Sequence, residues 1–117
     1  MQITTNFFEY ELKCPCCGGL QYDLHFIKLL QIIRTVADVP FTITSGYRCR
    51  IHNDSLENSV KDSRHLVGAA VDIDTSLWSG ELKWLVVCWA MRLGLSVGHY
   101  KGYLHIDKRD NKPVLFP

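Results

Sequence analysis

Two histidines and an aspartate are spaced so that a fold could bring them together. In Ala70 to Asp74, residues Ala70, Asp72 and Asp74 fall on one face of an extended strand, and Val71 and Ile73 on the other. Leu104 to Asp107 alternates in the same way, with His105 and Asp107 opposite Leu104 and Ile106. If these strands are neighbours, Asp72 and His105 converge, and His65 approaches from the loop that precedes Asp72. Two imidazole nitrogens and a carboxylate oxygen fill three places of a tetrahedral zinc. The fourth stays free for water, the arrangement of a catalytic rather than a structural site. Imidazoles also pair with carboxylates without any metal, so spacing alone leaves both readings open.

The elements that must hold these residues follow from periodicity. Asp23 to about Ala37 reads as a helix, with Leu24, Ile27, Leu30 and Ile33 on one stripe, ended by Pro40. Phe41 to Thr44 alternates and is rich in β-branched residues, a strand pattern closed by Ser45-Gly46. Residues 50–64 are polar and poorly periodic, a long loop with room for a helical turn, and such loops are often functional. Ala69 to Asp74 is a second strand. Glu81 to Leu93 is a second helix, expected to bury Leu82, Leu85, Val86 and Trp89 and to stop at Gly94. Leu95 to Val97 and Tyr103 to Asp107 read as short strands separated by Gly98 and Gly102, and the tail as a loop or edge. The expectation is one α+β domain over residues 1–117, a small, mostly antiparallel sheet flanked by helices.

Composition narrows the function classes. Of 117 residues, 47% are hydrophobic and 21% charged, which is globular and excludes disorder. A net charge of +1 gives no basic surplus for nucleic acid. Apolar runs such as Trp84 to Ala90 are too short to span a membrane. The opening residues lack the basic start and apolar stretch of a signal peptide, so synthesis in a cytoplasm is expected. A single chain supplies every residue of interest, and a monomer is expected.

Cysteine is odd in number, five, with Cys14, Cys16 and Cys17 clustered and Cys49 and Cys88 apart. That does not read as a secreted disulfide framework. Cys14 and Cys17 have the spacing of a metal knuckle, which would need further ligands such as Cys49 and His52. Reduced thiols, a metal and a disulfide all remain open. His25 reads as a surface residue, His52 as a loop hydrogen-bonder, and Asp74 as pointing past the site. Trp78, Trp84 and Trp89 read as packing residues.

Three motifs occur in order: Ser45-Gly46-Tyr47-Arg48; then Ser63-Arg64-His65-Leu66-Val67-Gly68-Ala69-Ala70-Val71-Asp72; then Leu104-His105-Ile106-Asp107. Together they resemble the zinc D-alanyl-D-alanine peptidases, the superfamily that includes hedgehog-like domains and phage cell-wall endopeptidases. The resemblance implies that His65, Asp72 and His105 ligate zinc, that Arg48 holds a substrate carboxylate or carbonyl, and that Ser63 helps to bind substrate. It implies a hedgehog/DD-peptidase-like α+β fold, in which Gly68 allows a close backbone approach below the ligand loop. It also implies a zinc metallopeptidase acting on D-amino-acid-containing peptides of bacterial peptidoglycan, as carboxypeptidase or endopeptidase. Such a protein acts at the bacterial wall, and the missing signal peptide fits a phage-encoded or virion-associated one.

The sequence departs from that pattern in two places: the loop Asp54 to Lys61 lacks the glycines expected there, and the usual base is missing. Many members carry an acidic base three residues before the last histidine, where this chain has Gly102. Two residues are candidates for the proton acceptor: His99, on a glycine-flanked turn, and Asp107, which could instead orient a ligand. The alternative function is a catalytically inactive zinc-binding module of the same fold, docking to the wall or serving in a virion.

Overall fold

The computed structural model describes residues 1–57 and 59–117. After a short helix α1 (Glu9–Leu12) come α2 (Leu24–Ala37), strand β1 (Thr42–Ser45), the six-residue helix α3 (Arg50–Ser55) and a 3-10 turn (Arg64–Val67). Strand β2 (Ala70–Asp74), helix α4 (Gly80–Arg92), the hairpin β3 (Ser96–Tyr100) and β4 (Tyr103–Asp107), and the two-residue β5 (Leu115–Phe116) complete the chain. The sheet order is β1-β2-β4-β3-β5. Three pairings are antiparallel, and β5 joins β3 in parallel at the edge. The α+β architecture is the one expected.

Sheet alternation divides the molecule into a packed side and a chemical side. Val71, Ile73, Leu104, Ile106 and Val97 pack with Phe26, Ile27, Leu30 and Ile33 of α2 and Val86, Val87 and Ala90 of α4. The α2 stripe holds at Ile27, Leu30 and Ile33, but at its start Phe26 is buried and Leu24 is exposed. On α4, Val86, Val87 and Ala90 are buried, whereas Leu85 faces solvent. Of the expected Leu82, Leu85, Val86 and Trp89, Val86 is buried, Leu82 and Trp89 pack partly buried against the core, and only Leu85 turns outward. Asp23 caps α2 by accepting from the Phe26 backbone N–H at 3.0 Å, and Lys108 Nζ donates to the same carboxylate at 2.9 Å.

One expectation about loops is met and one is corrected. Part of the 50–64 stretch is α3, with the Cys49 thiol as its N-terminal acceptor; Asn58, in the same stretch, lies outside the described residues. Gly98 does not end a strand: β3 runs through it to Tyr100. A side chain at residue 98 would meet the Tyr100 ring at 2.6 Å, the Phe116 ring at 2.8 Å and His105 Cβ at 3.2 Å. Glycine is there because three side chains crowd over the strand. Gly102 does turn the chain, at φ 85. Among the described residues no helix is long and apolar enough to cross a membrane.

Candidate active site

β2 and β4 pair with Asp72 directly opposite His105, so the period-two pattern places both on the sheet face away from the helices. His65 reaches them from the 3-10 turn, whose first N–H groups are capped by Ser63 Oγ accepting from His65 N at 3.2 Å. The turn ends at Gly68, in the left-handed region at φ 69. There the chain runs so close to Gln21 and Tyr22 that a Cβ would fall 2.0 Å from the Gln21 carbonyl oxygen. The close approach expected of Gly68 is present.

Both imidazoles are fixed by the acceptor each faces. His65 Nδ1 donates to the Gly46 carbonyl at 2.7 Å, leaving Nε2 directed at Asp72 Oδ1, 3.4 Å away. His105 Nε2 lies 2.7 Å from Asp107 Oδ2, leaving Nδ1 directed at Asp72 Oδ1, 2.9 Å away. With neutral rings in these tautomers, three electron-pair donors point at one another inside 4.8 Å. Such a group needs a shared proton or a cation among its members. The donor set, two nitrogens and one carboxylate with the far ring nitrogens anchored, fits a zinc ion with an open coordination place.

Without a cation, protons on the ring nitrogens that face Asp72 take its place. Burial alone would raise Asp72, but hydrogen bonds from His105 and His65 hold its carboxyl far below the usual range. Burial would lower His105, but Asp107 and Asp72 on either side raise it above an ordinary histidine. Asp107, fully buried, is lowered against its desolvation by Arg109 and His105. Arg109 grips it from Nε at 2.8 Å and from Nη2 at 2.5 Å. Both oxygens of Asp107 are thus committed, and it orients the His105 ring.

Arg48 sits at the rim with its guanidinium held on three sides. Its Nε donates to Ser45 Oγ at 3.2 Å, Nη1 to Asn53 Oδ1 at 3.3 Å, and Nη2 to Asp72 Oδ2 at 3.4 Å. Its backbone N–H donates to the His65 carbonyl at 3.0 Å, tying the arginine to the turn that holds the first histidine. A cleft of about 600 Å³ opens over Arg48, Ser63, His65, Asp72, His105 and Asp107, walled by Tyr100, Tyr103 and Phe116.

His99 does not belong to this constellation. It pairs with Leu104 on β3, so its side chain leaves the sheet on the helix side, where its ring meets Trp84 edge-on at 6.3 Å. The register does not bring it to the trio: Gly98, not His99, lies opposite His105. None of the three tryptophans lines the cleft. His52-Asn53 resembles the family's loop in sequence, but sequence reasoning gave no role to Asn53, which is buried and bonded both to Arg48 and to the Val60 carbonyl. It passed over Arg109 as well, which lies just beyond the end of β4 and reaches back to Asp107.

A search of curated proteins finds no match to this chain. The family model described as Peptidase M15 matches residues 6–107, a span that takes in Arg48, Ser63 and all three members of the metal-capable trio. The chain belongs to the M15 peptidase family, the zinc D-Ala-D-Ala peptidase superfamily.

Proposed function

We propose that the protein is a zinc-dependent peptidase that cleaves D-amino-acid-containing peptides of bacterial peptidoglycan, acting as a monomer at the bacterial wall. The observation that supports it best is the trio itself: His65 Nε2, Asp72 Oδ1 and His105 Nδ1 face one another while Gly46 and Asp107 hold the opposite ring nitrogens. These three would hold zinc. Zinc in that place supplies a bound water of lowered pKa and polarises a scissile carbonyl. Asp107 keeps the proton on His105 Nε2, so Nδ1 stays a ligand. Arg48 offers a pre-set guanidinium to the substrate carbonyl or terminal carboxylate, because Ser45, Asn53 and Asp72 fix it before substrate arrives. Ser63 keeps its hydroxyl proton to donate, since its oxygen is already the acceptor of the turn's cap. Tyr100 and Tyr103, stacked at 4.7 Å, form an apolar wall for the peptide.

Purified muropeptides incubated with the zinc-loaded protein test this. Release of D-alanine or loss of cross-links, abolished together with bound zinc in His65→Ala, is the expected result. Turnover that survives complete chelation would overturn it.

One observation favours a second reading, a wall-binding module that retains zinc without turnover. The carboxylates lining the cleft among the described residues are Asp62, Asp72 and Asp107. Asp72 and Asp107 are occupied with the histidines, Asp62 is an exposed rim residue, and Gly102 offers no proton acceptor. Stoichiometric zinc and muropeptide binding with no product would decide for that reading.

A further inference from the structure

Cys14 and Cys17, on the loop after α1, come together with Cys49, which caps α3. All are free thiols, and none takes part in the site above. The sulfurs of Cys14, Cys17 and Cys49 lie within 4.8 Å of one another, and those of Cys14 and Cys49 are 3.7 Å apart. A disulfide needs about 2.05 Å. Two sulfurs bound at about 2.3 Å to one tetrahedral zinc stand roughly 3.8 Å apart. Cys16, an exposed free thiol between Cys14 and Cys17 in the sequence, is the neighbouring sulfur nearest to hand for a fourth place.

The backbone around the sulfurs is shaped for negative charge. Cys49 N–H donates to Cys14 Sγ at 3.4 Å, Gly19 N–H to Cys17 Sγ at 3.3 Å, and His52 N–H to Cys49 Sγ at 3.4 Å. The Cys-Pro-Cys-Cys-Gly segment folds as a tight knuckle, closed by Gly18 N–H to the Cys14 carbonyl at 2.8 Å. Gly18 takes φ +71 with open space around it, so the backbone angle rather than crowding calls for glycine.

We propose that Cys14, Cys17 and Cys49, with Cys16 in the fourth place, form a second and structural metal site for a thiophilic divalent ion such as zinc. A closed set of four thiolates leaves no open place for water or substrate, which is the mark of a structural site. Its location gives it a purpose. The Leu12–Cys17 segment already rests on the Arg48 arm: Tyr47 N–H donates to the Leu12 carbonyl at 2.9 Å, and Gly46 lies against the Leu12 backbone, where a Cβ would be 2.8 Å from Leu12 Cα. An ion joining this segment to Cys49 fixes the residue next to Arg48.

Cobalt titration of the reduced, full-length protein reads the site without reference to activity or to the histidine trio. The expected result is sulfur-to-cobalt charge-transfer absorption that saturates at one equivalent and persists in His65→Ala/His105→Ala. It should be absent in Cys14→Ser/Cys17→Ser, and zinc should displace it. Should the cysteine variant fail to fold, thiol labelling of the zinc-loaded wild type supplies the answer: Cys88, exposed on α4, reacts at once and the other four are protected. A missing charge-transfer band, or five equally reactive thiols, overturns the site. An unchanged band in Cys16→Ser overturns its four-thiolate closure.

Discussion

His105 Nε2 stands 2.7 Å from Asp107 Oδ2, and that single contact decides which nitrogen of the ring faces Asp72. Arg109 holds the carboxylate from behind, so the contact is rigid. Asp107→Asn keeps the size of the side chain but can present an amide N–H to the ring, which favours the wrong tautomer. The expected outcome is a roughly 10–100-fold loss of zinc affinity with the fold retained. Competition against a chromophoric chelator measures it. A loss of rate at unchanged affinity would instead make Asp107 the proton acceptor.

His99→Ala should leave turnover within about twofold of wild type. Loss of a true general base costs roughly 10²–10⁴. His99 is on the helix side of β3 beside Trp84, with the sheet between it and the cleft. Rates on muropeptides at several pH values check this, and a hundredfold fall would mean that the hairpin rearranges when substrate binds.

Arg48→Lys should keep zinc and lower kcat/KM by roughly 10²–10³, the scale for removing a preorganised charged donor. An ammonium cannot hold Ser45, Asn53 and Asp72 together while offering two parallel N–H groups to substrate. Zinc content measured beside steady-state kinetics separates this from a lost metal. Wild-type turnover in the lysine variant would remove the role.

Local alternation made part of this site legible in the sequence. Asp72 and His105 could be placed on facing strands because each sits between apolar residues at period two, and the strands do pair at those two positions. His99 was misplaced for the converse reason. Reading Gly98 as a break hid one more residue of alternation, and that residue decides the face. The glycine is explained by Tyr100, Phe116 and His105 crowding over it, a fact of tertiary packing that no local window holds. Asn53 was invisible as a partner of Arg48, since a buried side-chain amide is recognised only by its neighbours. That Val87 rather than Leu85 faces the core likewise depends on where the neighbouring elements lie.

Asp23 should make stability depend on pH. Desolvation raises its carboxyl, but Lys108 and the Phe26 and His25 N–H groups lower it overall. A depressed folded value gives stability that is fully present above the unfolded value of about 3.9 and disappears as pH falls through the folded one. Asp23→Ala should therefore cost about 1 kcal/mol at pH 7, the usual cost of losing an N-cap, and little near pH 2. Urea titrations of both proteins at the two pH values test it. An equal difference at both would place the effect in packing rather than charge.

Gly68→Ala tests whether the first metal ligand depends on a backbone approach. Gly68 ends the turn that bears His65, and Ala69 N–H returns to the Arg64 carbonyl at 3.0 Å. Its carbonyl accepts from Asp23 N–H at 3.0 Å, joining the turn to the start of α2. Alanine at φ 69 costs about 1–2 kcal/mol from the left-handed backbone alone. The new Cβ would also lie 2.0 Å from Gln21 O and 2.4 Å from Tyr22 Cα, and these are backbone atoms that cannot swing aside. The turn must then move away from residues 21–22, carrying His65 off the Gly46 carbonyl that fixes its tautomer. The expected outcome is a stability loss of at least about 2 kcal/mol in urea titration, together with weaker zinc binding. Gly80→Ala is the control, because nothing lies within 4 Å of a Cβ there. It should leave zinc affinity unchanged. Wild-type stability and affinity in Gly68→Ala would show that the turn relaxes freely and that the close approach does not position the ligand.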